Sequence, residues 1–429
     1  MSGKVKFLVK SKWVILMLMM VFALVMVAGC GQKPPAEEQG PQDQGQTPQG
    51  EETSSEPIKV GLILPLTGTQ AMFGQMEKNS FEMAYAELEA QGKTTVNGRR
   101  IELIFEDDQS KQDVGKAAAE KLINQNNVNM LSGGYSSAVT NVIAGTAQSN
   151  QIPFMIVTGS ADKITQQGWE WIFRGSASPA SKYTASFWKM MDEVIKAKTA
   201  GVIYENTDFG ISSAEGFKEA ATEHGIEVVF DQSYEAGALD FKPMLAKMQA
   251  EEPDIIFAVS YVMDAALITK QMKELNFSVD LFVGGGAGYT MPEFVENAGD
   301  ASQYVASTTL WVPNVAWKGA ADYFKNYQEK YDKQPDYHGA QAYASMYVIA
   351  DVLNRAEEYT REGIKKALEE TDLDTIMGSV KFEDWEGYTN QDRPTTYVVQ
   401  WIDGQLEVVW PEEAKSADYV FPVPKWSER

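Results

Sequence analysis

The sequence predicts an α/β fold of two doubly wound parallel-sheet lobes joined by a hinge. Short apolar runs of strand length alternate with amphipathic helical stretches. That alternation runs once before Ser178 and again after it, so two lobes are expected. The composition, 44% hydrophobic and 23% charged over 429 residues, is globular and long enough for two to three ordinary domains.

The first expected strand is 58–64, an apolar run bounded by Pro57 and Pro65. A helix over 74–90 follows, with Phe81, Ala84, Tyr85 and Leu88 on one stripe. After a turn at Asn97-Gly98, strand 101–106 leads to helix 113–125, with Val114, Ala117, Ala118 and Leu122 inward. Strand 130–131, helix 137–150 and strand 154–157 complete the first run. The second run opens with a helix ending at 196, then strand 201–204, helix 210–224 and strand 227–230. It continues through helix 241–250, strand 255–259, helix 265–275 and strand 281–283. Strands that alternate with helices pair in parallel and are covered on both faces.

Charge and rare residues exclude several functions. Lys+Arg is 37 against Asp+Glu at 60, a net charge of -23. Nucleic-acid binding needs a basic face, and docking on anionic lipid needs basic clusters; neither fits. One cysteine allows no internal disulfide. Two histidines, far apart, do not suggest a His-based zinc site or a Ser-His-Asp triad. His224 ends an expected helix, where a cation suits the dipole, and His338 precedes one; both read as structural or exposed. Glu106-Asp107-Asp108 reads as a loop end, not a metal site. The glycines at 284–288 are not a dinucleotide fingerprint, because position 289 is Tyr. Gly134-Tyr-Ser-Ser-Ala138 is not a nucleophile elbow, because position 138 is Ala. No cofactor, metal or catalytic activity is expected.

Residues 1–29 carry Lys4, Lys6, Lys10 and Lys12, no acid, and then an apolar run from Trp13 to Ala28. At about 16 residues the run is short for a permanent membrane span and has the form of a secretory leader. Small residues before Cys30 resemble a bacterial lipobox, which implies lipidation of Cys30. Residues 30–57, rich in Pro, Gly, Gln and Glu, read as a disordered leash.

Ligands of open α/β sheets bind beyond the carboxyl ends of the strands. There the first lobe offers Pro65-Leu66-Thr67-Gly68, Asp107-Asp108-Gln109, Gly133-Gly134-Tyr135-Ser136-Ser137 and Thr158-Gly159-Ser160. The second offers Glu205 to Phe209, Ser260-Tyr261 and Gly284 to Gly288. Hydroxyls and free helix N-termini suit an anion, and aromatic rings suit an apolar body.

The pattern resembles the type I periplasmic binding proteins of the branched-chain, hydrophobic amino-acid ABC importers. The likeness rests on IKVGLILPLTG at 58–68, FEDD at 105–108, GGYSS at 133–137 and IPF at 152–154, with 204–210 and Asp240-Phe241 each leading into a helix. The resemblance implies that Ser137, Thr158 and Ser160 hold a ligand carboxylate, with Ser136 beside them. It implies that Phe73 and Phe209 enclose the ligand and that Tyr261 contacts it. The amino-acid members place a glutamate, for the ligand ammonium, where this chain has Gly286; no acid lies between Leu281 and Pro292. Asp208, Asp264 or Glu205 are the carboxylates that would have to substitute.

The family's chain crosses between lobes three times. The expected division is therefore 57–177 with 311–390 in the first lobe and 178–310 with 391–429 in the second. The expected function is an extracytoplasmic, lipid-anchored solute receptor with a small-molecule ligand, an amino acid or a related carboxylate or amide. Its expected partners are ABC permease subunits, with the membrane reached through the lipid anchor. The alternatives are a sensory ligand-binding protein and a surface-anchored α/β hydrolase. A hydrolase needs a nucleophile beside a base, and neither histidine lies in a strand-end loop.

Overall fold

The computed structural model describes residues 56–429. The expected leader, Cys30 and nearly all of the expected leash lie outside the described residues. In chain order the first elements are β1 (Ile58–Leu64), α1 (Ala71–Ala90), β2 (Thr95–Val96), β3 (Arg99–Asp107) and α2 (Gln112–Asn124). Next come β4 (Met130–Gly133), α3 (Ser137–Ser149), β5 (Phe154–Ile156) and β6 (Ile172–Arg174). The second run holds α4 (Ala185–Glu193), β7 (Thr199–Glu205), α5 (Asp208–Glu223), β8 (Glu227–Tyr234) and α6 (Lys242–Ala250). It continues with β9 (Ile255–Val259), α7 (Val262–Glu274), β10 (Leu281–Gly284), α8 (Pro292–Ala298) and β11 (Ala306–Thr309). Then follow α9 (Ala320–Tyr331), α10 (Tyr337–Arg355), α11 (Arg361–Glu369), β12 (Asp372–Thr375) and β13 (Gly378–Lys381). The chain closes with β14 (Glu383–Trp385), β15 (Tyr388–Gln391), β16 (Tyr397–Ile402) and β17 (Gln405–Trp410).

These strands form two main sheets. The first has the order β14-β15-β6-β5-β4-β1-β3-β2 and the second β17-β16-β11-β10-β9-β7-β8. β1 pairs in parallel with β3 on one side and β4 on the other. β7 does the same with β8 and β9. The strand order therefore reverses once in each sheet, beside β1 and beside β7. Ligand crevices open at such points, just past the strand ends. Both sheets are mostly parallel, as the strand-helix alternation predicts; β16 and β17 add an antiparallel edge to the second.

Local sequence explains the central elements. β1 is buried along almost its whole length, as a central strand covered on both faces must be. α10 is buried from Tyr337 through Met346, and its Gly339, Ala340, Ala342 and Ala344 let it lie close against α1. α1 begins at Ala71, before the expected start at 74, and no side chain caps it. The sequence carries no cap signal at Gln70, so that first turn is set by the burial of Phe73. β4 runs past Leu131 to Gly133, which takes φ +110°. A Cβ there would sit 2.3 Å from the Ile63 carbonyl oxygen, so only glycine lets the strand end close against β1.

A fully buried arginine joins the end of β6 to the segments that pass between the lobes. Arg174 Nη1 donates to the carbonyls of Gly159 (3.2 Å) and Ala161 (3.0 Å). Its Nη2 donates to Thr165 Oγ1 at 2.8 Å and its Nε to Gln391 Oε1 at 2.5 Å. Gln391 in turn donates to the carbonyls of Ala177 and Asp392. Burial lowers the Arg174 pKa to about 10, with Asp162 opposing that shift. Replacing Arg174 by Met strands several buried acceptors, each worth about 1–3 kcal/mol. Urea denaturation of Arg174→Met is expected to lose about 3 kcal/mol or more; an unchanged midpoint at unchanged slope would contradict this role.

Candidate ligand-binding site

The loops that follow the two reversal points meet. After β4 the chain turns through Gly134, Tyr135 and Ser136 into α3. Ser137, the first residue of α3, accepts the main-chain N–H of Ser160 (3.1 Å) and of Ala161 (3.0 Å) at its Oγ. The carbonyls of Gly159 and Ala161 are the ones that Arg174 holds, so the loop after β5 is fixed from both sides. Thr158 Oγ1 lies 2.6 Å from Glu77 Oε1 and 3.0 Å from Gln341 Oε1, within donating distance of both.

Between the lobes is a cavity of about 20 Å³, room for about one water. Tyr135, Ser137, Thr158 and Ser160 line it from the first lobe, and Phe209, Tyr261 and Ala287 from the second. Tyr183, Tyr337 and His338 close it. The rings form a chain across the cleft. Phe73 stacks on Tyr135 with centroids 4.7 Å apart, Tyr135 meets Tyr261 at 6.2 Å, and Tyr261 meets Phe209 at 6.4 Å. Burial pushes the phenols of Tyr135, Tyr261 and Tyr337 well above the ordinary range, so all are neutral. Tyr135 OH and Gln70 Oε1 are buried without a hydrogen-bond partner.

The residues expected at the site divide by position. Ser137, Thr158, Ser160, Phe209 and Tyr261 line the cavity. Phe73 lies one layer back, behind Tyr135. Ser136 and Gln70 lie against the Tyr261 hydroxyl and oppose the rise that burial imposes on it. Gly286 takes φ +83°, and a Cβ built on it would sit 3.3 Å from Tyr337 OH and 3.4 Å from the Tyr183 ring. A side chain at 286 would therefore meet these two tyrosines closely, at a backbone conformation that favours glycine. The next N–H, that of Ala287, donates to Tyr337 OH at 2.9 Å.

Asp208, in the first turn of α5, pairs with Lys163 of the facing lobe at 2.7 Å and is not among the residues that line the cavity. The other two carboxylates are also engaged behind the wall. Asp264 Oδ2 accepts the Gly237 N–H at 2.8 Å, and Glu205 Oε1 accepts the Thr207 hydroxyl at 2.8 Å. Burial pushes Glu205 up to about 8, and its Oε2 has no partner. His338, read from sequence as structural or exposed, is 2% exposed, bonds to Asp336 and lies in the cavity wall. Tyr337 and His338 reach the site because α10 returns to the first lobe, which no local pattern announces. Tyr135 stood within the GGYSS run and could have been found there. Among the described residues no cluster of His, Cys, Asp and Glu able to hold a metal ion occurs, and no helix is long and apolar enough to cross a membrane.

A family profile described as periplasmic binding protein matches residues 57–405. The chain belongs to the periplasmic binding protein family. A curated relative, Leu/Ile/Val-binding protein homolog 7 of Brucella suis biovar 1 (strain 1330), is 27% identical over 396 residues, covering 87% of this chain and 96% of that protein. The branched-chain amino acid transporter substrate-binding protein LivJ of Streptococcus pneumoniae, solved with isoleucine, superposes with a TM-score of 0.73. It is 24% identical and covers 83% of this chain and 100% of its own. An ABC-transporter solute-binding protein of R. palustris, solved with benzoate, superposes with a TM-score of 0.71 at 20% identity, over 84% of this chain and 99% of its own. These named relatives are binding proteins, not enzymes, and the fold described above is the one they share with this chain.

Glu77 gives the site a testable electrostatic property. It is fully buried on α1 beneath Thr158, and burial pushes it from 4.5 up to about 8, with the Thr158 hydroxyl opposing and Asp108 and Asp336 adding to the rise. An acid with a raised folded-state pKa stabilises fully below its unfolded value and loses that contribution as pH rises through its folded value. The window here runs from 4.5 to about 8. Glu77→Gln is therefore expected to flatten the fall in Tm between those limits. Parallel Tm-against-pH curves for the two proteins would contradict it.

Proposed function

We propose that the protein is the extracytoplasmic receptor of an ABC importer and captures a hydrophobic or aromatic carboxylate, or a related amide, between its lobes. Closed on that ligand it docks on the permease subunits. Cys30, at the end of a leader-like segment, supplies the lipid anchor.

The observation that carries the choice of ligand is the cavity wall, which among the described residues includes no carboxylate. A buried ammonium without an anion costs several kcal/mol. Among the described residues no Asp or Glu lines the cavity; Asp208 pairs with Lys163, and Asp264 and Glu205 each accept a hydrogen bond from within their own lobe. The carboxylate end has a place. α3 presents its free N-terminal N–H groups there, and Ser137 Oγ accepts two N–H bonds, which leaves its own proton for the ligand. Tyr135, Phe209 and Tyr261 supply the apolar wall. The fold serves both ligand classes in its relatives, with isoleucine in one and benzoate in another. The wall of this chain favours the second. A cavity the size of one water does not admit either, so the lobes separate on loading and close again by hinge motion.

Calorimetric titration with leucine, isoleucine, valine and phenylalanine, beside their deaminated analogues and benzoate, tests this reading. The carboxylates are expected to bind at least about ten-fold more tightly than the amino acids, a difference of about 1.4 kcal/mol. Tight binding of an amino acid that is lost in its deaminated analogue would overturn it.

A further inference from the structure

One group in the cavity wall has chemistry that an apolar ligand leaves unused. His338 lies in the first turn of α10, 2% exposed. Its ring stacks on Tyr337 with centroids 3.9 Å apart and stands edge-on to Phe73 at 4.8 Å. Nδ1 is 2.8 Å and 3.0 Å from the two oxygens of Asp336. Asp336 Oδ1 also accepts the His338 main-chain N–H at 2.9 Å, and Oδ2 accepts the Thr290 hydroxyl at 3.3 Å. A carboxylate that takes donors at both oxygens acts as an acceptor, so Nδ1 carries the proton. With a single ring proton, on Nδ1, Nε2 is bare, and a bare imidazole nitrogen accepts hydrogen bonds. Nε2 lies on the ring edge away from Asp336, and the ring lines the cavity.

We propose that the Asp336–His338 pair reads a hydroxyl on the ligand, with His338 Nε2 accepting its proton, so that the preferred solute is a hydroxylated aromatic carboxylate. This rests on the reading of the ligand as a carboxylate without an ammonium group. A hydroxyl brings the donor that Nε2 lacks and no net charge. Asp336 acts as a positioning residue, because it fixes which nitrogen carries the proton. Tyr135, whose hydroxyl has no partner, offers a second contact to the same group.

The test is calorimetric titration of benzoate and 4-hydroxybenzoate into wild type, His338→Phe and His338→Gln. In wild type the hydroxyl is expected to tighten binding about five- to ten-fold, the worth of one neutral hydrogen bond. In His338→Phe the two compounds are expected to bind alike, whatever their common affinity. His338→Gln, whose amide oxygen accepts, is expected to retain part of the preference. This second variant also keeps the test decisive if the Phe variant does not fold. Equal affinity for both compounds in wild type, or an unchanged preference in His338→Phe, overturns the role of His338 and leaves the carboxylate reading standing. Binding of leucine with neither benzoate bound overturns both.

Discussion

The reversal of strand order beside β1 and beside β7 is the constraint on which the rest of the molecule depends. A parallel sheet wound outward in both directions from an inner strand leaves a gap between the two helices that depart to opposite faces. Tyr135, Ser136 and Ser137 occupy that gap in the first sheet. Phe209 and Tyr261 occupy its counterpart in the second. The cavity they share follows from this topology, and the side chains tune it. Arg174 makes the first half rigid by holding the two carbonyls that flank Ser160, and through Gln391 it ties that loop to the segments that run between the lobes. A buried charge that satisfies only neutral acceptors is unusual, and here it positions a loop whose Ser160 and Ala161 N–H groups bond to Ser137 Oγ.

The charge distribution matters more than the net charge of -23. Among the described residues no acid lines the cleft, while Glu77 and Glu205 stand behind it, both pushed up to about 8 by burial. Near neutral pH most of each is protonated, so neither repels an incoming carboxylate as a full charge would. Neutral phenols, one serine hydroxyl and the N-terminus of α3 remain to meet the ligand. This is the basis of the proposed preference for an anion with an apolar body over a zwitterion: the wall supplies donors and dispersion contacts.

Much of this was legible in the sequence. The alternation of strand and helix locates both sheets, since a buried parallel strand such as IKVGLIL has to be an apolar run between breakers. The strand-end rule places Ser137, Thr158, Ser160, Phe209 and Tyr261 near one another without any coordinates. Other features depend on long-range placement that no local pattern encodes. Tyr183, Tyr337 and His338 come from the segments that pass between the lobes or return to the first one, and the packing of α10 on α1 is what carries His338 to the cavity. The turn of Asp208 towards Lys163 depends on two loops from different lobes meeting. The absence of an acid at 286 was readable, but the tyrosines that stand close to it were not.

The central claim is that two lobes close around a small carboxylate held at their facing strand ends. Small-angle scattering from the full chain, alone and saturated with the carboxylate that binds most tightly, tests it most directly. The account predicts a smaller radius of gyration in the loaded protein, reached at one equivalent of ligand and absent when Ser137→Ala is titrated at the same concentration. A saturated complex with the radius of the free protein would contradict it.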